Sequence, residues 1–336
     1  MNKLLVNVIS ILLLTKKNRH KFRDKYSKKP AVEFINIDEK IDNIISMTKT
    51  INESNSFDVV IPCKISSVNE LLDILPQILK NILPRNIIVV TKYNEEYFEK
   101  LSKVKYIKIV DEDSIFEGLT IDKVKEKMIE KTGTFAWSGW YFQQFLKMSY
   151  AFLCQDQYYL VWDADTMPIN KLNFFNGNKA IFNMKTEHHI PYFETLKKIL
   201  NIDKQIDNSF IAEHIMVNKD IMIELIEKIK NNDNLKGESF WEKIFNSIDL
   251  KYLQNFGFSE YETYGNYVLT YHKDKYLTSR LRTLREGYNY FSEIPSATLL
   301  NEVAKNFDTI TFESYHKKNN KLPLENYLNE VIKENY

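Results

Sequence analysis

The chain has 336 residues, a net charge of +1 and two cysteines, Cys63 and Cys154. The near-neutral charge gives no bulk basic field for nucleic acid, and two cysteines exclude a multi-bridge disulfide framework and a cysteine-rich zinc site, which suits a reducing compartment. Apolar and charged shares of 44% and 27% are ordinary for a globular protein, whereas the 13% aromatic share is high. The length allows one large domain or two small ones.

An apolar stretch near the N-terminus, Leu4 to Leu14, is followed by a basic cluster. As a helix it would be about 16 Å long, too short to span a hydrocarbon core of about 30 Å. It is also a poor signal peptide, because only Lys3 precedes it and no small-x-small cleavage site follows. Three interpretations stay open: a helix on an anionic membrane surface, a first helix packed on the core, and an uncleaved signal anchor. We therefore treat residues 1–50 as a separate segment with a possible peripheral membrane contact.

Short apolar runs then alternate with a helical pattern. The predicted elements are strands over Phe57–Pro62, Asn86–Thr91 and Tyr106–Val110, and helices over Asn69–Leu83 and Glu95–Leu101. Such alternation is typical of βαβ units with a parallel sheet covered on both faces. The sequence has no repeat, low-complexity block or long linker, so we expect a single α/β domain over residues 55–320 and a C-terminal helix over 321–336.

Candidate ligand-binding residues lie at the ends of three predicted strands, the first two of those above and a later one. Pro62 and Lys64 end the first, Thr91 ends the second, and Asp163 and Asp165 end the strand that begins at Tyr158. Ligands of parallel α/β sheets bind at the carboxyl ends of the strands, so these residues are expected to share one crevice.

The two aspartates are separated by one alanine, and strand alternation would put their side chains on the same side. Two such carboxylates repel each other unless a cation lies between them, and Mg²⁺ or Mn²⁺ takes oxygen ligands that it can share with phosphates. The alternative is that one aspartate caps a turn and the other pairs with a lysine.

The ordered set FDVVIP, NIIVVT, GWYFQQFLKM and YYLVWDADT resembles bacterial glycosyltransferases of the GT-A fold with a DXD motif, of the kind found in capsule and lipopolysaccharide biosynthesis clusters. The resemblance covers about residues 55–316. It implies a GT-A (Rossmann-like) fold with a mostly parallel central sheet flanked by helices. It also implies a nucleotide-sugar donor bound across the N-terminal half, a metal ion held by Asp165, and Asp163 near the donor ribose or the metal.

The stretch from Gly139 to Cys154 has a helical pattern, with Gln143, Gln144 and Lys147 off its apolar face. By the resemblance, this helix borders the donor sugar and phosphates, and Lys147 would bind phosphate as a point charge. A solvated polar stripe is the alternative.

A second helix start lies at Ser259. Ser259 and Glu262 have the spacing of a capping box, which gives Glu262 a structural role, whereas Glu260 has none. Inverting glycosyl transfer needs a carboxylate base for the acceptor hydroxyl. With the resemblance in this stretch, we predict Glu260 as the base and Glu262 as its rival; two acids that merely decorate a helix start are the alternative.

Histidines and arginines supply weaker candidates. The resemblance implies a third metal ligand, a histidine near the C-terminus, for which we prefer His316 over His272. His214 either lines the acceptor side or is a hydrogen-bonded core residue. Three arginines could bind phosphate or form a solvated face: Arg280, Arg282 and Arg285. An Asn176-Gly177 hairpin is expected between two apolar runs.

Together these features predict a cytoplasmic, metal-dependent hexosyltransferase, with a possible peripheral position at the inner face of the membrane. It would move a sugar from a nucleotide-diphosphate donor, for which we expect a UDP-sugar, to a glycan or lipid-linked acceptor in bacterial surface polysaccharide assembly. The alternatives are a sugar nucleotidyltransferase and a non-catalytic scaffold protein at a membrane surface. The stretch Cys63–Glu70 contains no glycine, which disfavours the first of these.

Overall fold

The structure is a computed structural model that describes residues 37–48, 55–291 and 294–313. The apolar stretch Leu4 to Leu14, the predicted C-terminal helix and His316 lie outside the described residues. Within the described ranges, no helix is both long enough and apolar enough to cross a membrane.

The centre of the molecule is a five-stranded sheet with the order β3-β2-β1-β4-β8. Its strands are β1 (Asp58–Pro62), β2 (Ile87–Thr91), β3 (Ile107–Asp111), β4 (Tyr158–Trp162) and β8 (His214–Asn218). The first four are parallel, and β8 runs antiparallel to β4. The predicted α/β class with a mostly parallel central sheet is confirmed, because β1, β2 and β8 are buried along their whole length between layers of helices.

Helices cover this sheet. They are α1 (Ile37–Thr48), α2 (Val68–Asn81), α3 (Glu95–Ser102), α4 (Ile121–Thr132), α5 (Ser138–Ser149), α6 (Ile190–Leu200), α7 (Lys219–Lys230), α8 (Phe240–Ser247), α9 (Glu260–Tyr271), α10 (Gly287–Tyr290) and α11 (Ala297–Val303). Helix α1 packs against α2 through buried Ile41 and Ile44 and an ion pair of 2.8 Å between Lys40 and Asp73. Part of the segment that we separated from the domain is therefore in contact with it.

Two small sheets extend the core on the side of β4. One has the order β10-β11-β5, formed by Thr283–Leu284, Thr309–Thr311 and Thr166–Pro168; the other has the order β6-β7-β9, formed by Phe175–Asn176, Lys179–Asn183 and Tyr276–Ser279. The predicted hairpin is confirmed, since β6 and β7 are antiparallel on either side of Gly177, whose φ is +60°. Strand β11 pairs with β5, so the chain near its C-terminal end returns to the turn after β4.

Two local expectations are wrong. Strand β4 ends at Trp162, and Asp163 and Asp165 lie in a turn in which the Thr166 amide donates to the Asp163 carbonyl at 3.1 Å. Strand alternation therefore does not set the directions of the two aspartates. The capping box at Ser259 is only half formed, because Ser259 Oγ accepts from the Glu262 amide while the Glu262 carboxylate turns to other partners.

Candidate active site

A cavity of about 360 Å³ opens at the carboxyl ends of β1, β2 and β3. Its wall combines apolar side chains, three lysines, one acid and the first turn of α5: Pro62, Cys63, Lys64, Ile65, Val90, Lys92, Glu112, Ile121, Lys125, Phe135, Ser138, Gly139, Phe142, Gln143 and Leu146. Burial raises the pKa of Glu112 to about 7. Apolar walls with a few convergent charges are typical of a small-molecule site.

Some of the predicted donor-binding residues line this cavity and others do not. Pro62 and Lys64 line it, and Gln143 lines it while donating to the Pro62 carbonyl at 3.4 Å. Thr91 does not line it: its side chain is fully buried, and its hydroxyl has no hydrogen-bond partner among the described residues.

Lys147 joins the two acidic motifs. Its buried ammonium lies 2.9 Å from Asp163 Oδ1 and 3.1 Å from Glu260 Oε1, and it donates to the Tyr261 hydroxyl at 3.3 Å. Burial by itself would lower the pKa of Lys147, but the charges of Asp163 and Glu260 raise it well above its usual value. The same ammonium opposes the rise that burial causes in the pKa of Glu260. The tertiary structure thus brings the turn after β4 and the start of α9 together at the Lys147 ammonium.

Gln144 acts beside Lys147 on α5. Its side-chain oxygen accepts from the Glu260 amide at 3.0 Å, and the residue is 4% exposed. This bond satisfies one of the amides left open at the start of α9. Gln144 therefore fixes the position of Glu260 relative to α5 and does not line the cavity.

Asp165 lies at the other side of the same turn. Its carbonyl accepts from the Phe312 amide at 2.8 Å, which ties the turn to the strand that leads out of β11. Burial, Asp163 and Glu313 raise the pKa of its carboxyl to about 7. The charge of Asp165 also raises the pKa of Cys63 in the cavity wall, after the larger effect of burial, so the acids and the cavity adjoin.

A second ion-pair group, which sequence reasoning did not assemble, lies behind the turn. The Glu213 carbonyl accepts from the Asp163 amide at 2.9 Å, and the buried Glu213 carboxylate lies 3.3 Å from Lys185 and 3.8 Å from Arg285. Burial would raise the pKa of Glu213, but Lys185 and Arg285 hold it below its usual value. Glu213 lies inside the apolar stretch from Phe210 to Asn218, and an acid within such a stretch is the available sequence signal, because it must find a partner.

Arg285 is the one predicted arginine that reaches this region. Besides Glu213, it lies 3.6 Å from Glu313. Arg282 instead pairs with Asp308 at 2.7 Å, and Arg280 donates to Asn208 at 3.4 Å.

Glu262 faces away from Glu260. Its carboxylate accepts from the Ser209 hydroxyl at 2.6 Å, the Phe210 amide at 3.1 Å and the Asn266 side chain at 3.1 Å. It is 1% exposed and serves to hold the loop before β8 against α9.

No hydrogen bond or ion pair joins a histidine of the described ranges to the carboxyl group of Asp163 or Asp165. His214 is 3% exposed and stacks on Trp162 with ring centres 4.9 Å apart. His272 ends α9 and lies 3.0 Å from Glu224. His316 falls just beyond the strand that returns to Asp165, outside the described residues.

Asp163 and Asp165 are oxygen donors of the kind that a divalent cation prefers, and the charges of Asp163 and Glu313 act on the buried Asp165, but Asp163 already pairs with Lys147 at 2.9 Å. Across the described ranges, no group of three or more histidine, cysteine, aspartate or glutamate side chains is arranged to hold a metal ion. A complete ligand set would need His316, water or a bound phosphate in addition.

Several solved structures are similar to the chain at low identity. The apo form of the glycosyltransferase GlyE from Streptococcus pneumoniae TIGR4 shows 12% identity and a TM-score of 0.39, over 83% of this chain and 60% of its own. The galactosyltransferase LgtC in complex with donor and acceptor sugar analogs shows 11% identity and a TM-score of 0.39, over 82% of this chain and 96% of its own. The apo form of mouse xyloside xylosyltransferase 1 shows 11% identity and a TM-score of 0.36, over 77% of this chain and 98% of its own. The chain thus spans less than two thirds of GlyE.

No curated protein matches the chain. A protein-family model does match it, over residues 54–300, which covers the central sheet, the cavity and both acidic motifs. The chain therefore belongs to the family described as "Family of unknown function (DUF6492)".

Proposed function

We propose that this protein is a glycosyltransferase that takes a sugar from a nucleotide-diphosphate-sugar donor. The observation that carries the proposal is the contact of one buried lysine, Lys147, with both Asp163 and Glu260. We assign Asp163 to the donor side and Glu260 to the acceptor side, and Lys147 joins them near the sheet edge where the cavity opens, at the carboxyl ends of parallel strands.

The cavity would hold the nucleotide. Its apolar wall suits a base and a ribose, and Lys64, Lys92 and Lys125 provide positive charge for a diphosphate. The first turn of α5 borders the cavity at Ser138 and Gly139, where the helix dipole favours an anion. We infer that the donor is a UDP-sugar from the resemblance alone.

Asp163 and Asp165 would hold Mn²⁺ or Mg²⁺. When bound, this cation would neutralise the charge of the leaving nucleoside diphosphate. The role of the chain's own residues is to keep both carboxylates in place: the Glu213 carbonyl holds the Asp163 amide, Lys147 holds its carboxylate, and the Phe312 amide holds the Asp165 carbonyl.

Glu260 would accept the proton of the acceptor hydroxyl in an inverting reaction. Its amide is held by Gln144 and its carboxylate by Lys147. Burial raises the pKa of Glu260, and the Lys147 ammonium opposes that rise in favour of the ionised form that a base requires. Glu262 is the alternative base. It is less suited to this role, because its carboxylate already accepts hydrogen bonds from Ser209, Phe210 and Asn266.

The acceptor would be a glycan or a lipid-linked glycan of bacterial surface polysaccharide assembly, and the protein would work in the cytoplasm, with a peripheral contact at the inner face of the membrane. These statements rest on the resemblance of the sequence and on the apolar and basic N-terminal stretch. A sugar nucleotidyltransferase and a non-catalytic scaffold are the competing functions.

The proposal is tested by donor hydrolysis. Purified protein is incubated with UDP-, GDP-, CMP- and dTDP-sugars, with and without Mn²⁺, and the released nucleotide is quantified. We expect nucleoside diphosphate from one donor, only with metal, and a loss of at least about a hundredfold in Asp165→Asn. Asp233→Asn, at an exposed aspartate, is the matched control and should behave as wild type.

Other outcomes separate the competitors. Formation of a nucleotide-sugar from a nucleoside triphosphate and a sugar phosphate would indicate the nucleotidyltransferase. Absence of both release and metal-dependent nucleotide binding by calorimetry would contradict the transferase and favour the scaffold.

A further inference from the structure

Five aromatic side chains form a continuous cluster beside Glu260, which we call the aromatic platform: Trp137, Trp140, His189, Tyr192 and Phe256. Phe256 contacts Trp137 at 4.6 Å and Trp140 at 5.2 Å between ring centres. Trp140 is nearly parallel to Tyr192 at 6.5 Å, and Tyr192 contacts His189 at 4.6 Å. The platform therefore joins the start of α5, the start of α6 and the loop before α9.

The platform is held rigidly. The Tyr141 hydroxyl accepts from the Gly257 amide at 3.0 Å, the Thr195 hydroxyl donates to the Gly257 carbonyl at 2.6 Å, and His189 Nε2 bonds the Asn255 carbonyl at 3.0 Å. These bonds fix the loop that carries Phe256 to both helices. A preorganised surface loses little freedom when it binds a ligand.

Two of the rings sit on strained backbone. Trp137 has a φ of +70° and Phe256 a φ of +50°, values that bulky side chains rarely adopt. Such strain persists only where the surrounding structure imposes it, and it concentrates at ligand sites. Glycine at either position would relieve this strain, so each ring carries a local energetic cost in the backbone.

One ring of the platform is open to solvent, and polar groups lie at its edge. Trp137 is 43% exposed, whereas Trp140, His189 and Phe256 are half-buried and Tyr192 is buried. Gln254 and Asn255 are exposed on the same loop as Phe256. Ring faces bordered by side-chain amides match a sugar, whose C–H faces pack on the negative face of a ring while its hydroxyls bond to amides.

The platform also leads to the proposed base. Phe256 lies on the loop that enters α9 at Glu260, and Glu260 is among the charges that raise the pKa of the Tyr192 phenol, after burial and Glu187. The platform and Glu260 are thus joined by a short loop, at whose far end the Glu260 carboxylate is buried against Lys147.

We propose that the aromatic platform is the acceptor subsite and binds a neutral saccharide by stacking on the exposed Trp137 ring, which Phe256 supports at an interplanar angle of 71°. This inference rests on the proposed glycosyl transfer, and it assigns to that reaction an acceptor recognised by its sugar faces. The donor cavity is lined by Phe135, Ser138 and Gly139, the chain neighbours of Trp137. The start of α5 would therefore border both substrates.

The test is saturation-transfer NMR on the full chain with maltotetraose, cellotetraose and lacto-N-neotetraose at millimolar concentration, which reports sugar C–H groups on aromatic rings without any turnover. The variants are Trp137→Gly and Phe256→Gly, because glycine adopts a positive φ without strain and should preserve the fold. Asn201→Gly controls for glycine at a positive φ (+55°) and Tyr93→Ala for loss of an exposed ring.

We expect at least one tetrasaccharide to bind wild type, about tenfold weaker binding in both platform variants, unchanged binding in both controls, and partial recovery in Trp137→Phe. No saturation transfer from any of the sugars, or equal binding in the platform variants, would overturn the proposal. So would sedimentation with phosphatidylglycerol vesicles that depends on the same two rings, because it would make the platform a membrane contact. Donor hydrolysis on the same preparation reports the proposed function separately.

Discussion

Lys147 shows at the scale of one residue how tertiary packing changes the meaning of a side chain. Its place off the apolar face of α5 suggested a phosphate ligand, but its ammonium is buried between Asp163 and Glu260. Removing one partner of a buried ion pair leaves the others uncompensated, which costs more than the pair itself contributes. Lys147 is therefore a positioning residue for both acids.

Lys147→Met should lower the free energy of unfolding by about 3 to 5 kcal/mol, because Asp163 and Glu260 would face each other without a cation. Urea unfolding measures the loss. Adding Glu260→Gln should recover part of it, since one of the two charges disappears.

The matched control is Lys243→Met. Lys243 is also buried but donates to two carbonyls, those of Lys230 and Asn232. Adding Glu260→Gln to this variant should recover nothing. Equal recovery in both backgrounds would contradict the role of Lys147.

His214 carries a prediction on pH. Burial lowers its pKa from 6.5 to about 4, so the folded state requires the neutral ring while the unfolded state binds a proton more readily. The associated stability is complete above about pH 6.5 and is lost as the pH falls toward 4. Between pH 7 and pH 5 wild type should lose about 2 kcal/mol more than His214→Phe, measured by urea unfolding.

An exposed histidine, His188, supplies the control variant His188→Phe. If His214→Phe keeps the full pH dependence of wild type between pH 7 and pH 5, the buried neutral ring is not its source.

Helix α9 is the element that most directly joins packing to the site. It begins with Glu260, held from α5, and it packs Gly265 against the ring of Phe210, which a Cβ would approach to 2.3 Å. Phe210 also donates its amide to Glu262 on the same helix. The close approach of the loop before β8 therefore needs a glycine in the middle of a helix, although glycine is a poor helix former.

Gly265→Ala should accordingly destabilise the protein by about 1 to 3 kcal/mol, although alanine favours helices. Gly139→Ala is the matched control, because its Cβ would meet only the Lys64 side chain at 4.0 Å. Thermal unfolding of the two variants compares them, and a Gly265→Ala variant as stable as Gly139→Ala would show that the loop can move away from α9.

On the scale of the whole molecule, the parallel strands collect the cavity and the acids at one edge of the sheet. A nucleotide that binds the folded state there stabilises the protein by mass action, by about 2.7 kcal/mol at one hundred times its dissociation constant. Thermal unfolding with UDP or GDP and Mn²⁺ should show an upward shift for the nucleotide of the active donor.

Lys64→Met should weaken that nucleotide about tenfold, because a cavity lysine is lost. Lys179→Met, at an exposed lysine outside the cavity, should leave the shift unchanged. A shift of the same size in Lys64→Met would place the nucleotide elsewhere.

Much of the architecture was predictable because its signals are local. The strands at Asp58–Pro62, Ile87–Thr91 and Ile107–Asp111 were expected within one residue at each end, since short apolar runs between helical patterns specify buried parallel strands. The hairpin at Gly177 and the helix start at Ser259 were likewise readable from turn and cap chemistry. Local signals also identified the candidate acids. Asp163 and Asp165 follow a predicted strand, and Glu260 lies at a predicted helix start.

The sequence by itself thus determined the α/β class, the order of the elements and the acids that we propose for the reaction, because periodicity, caps and turns depend on neighbours in the chain. Only the tertiary structure decided what those acids contact. Lys147 and Glu260 are far apart in sequence, Glu213 reaches Asp163 through the antiparallel strand β8, and the aromatic platform gathers three separate segments. Such contacts depend on how helices and strands pack in space, and no local pattern encodes them.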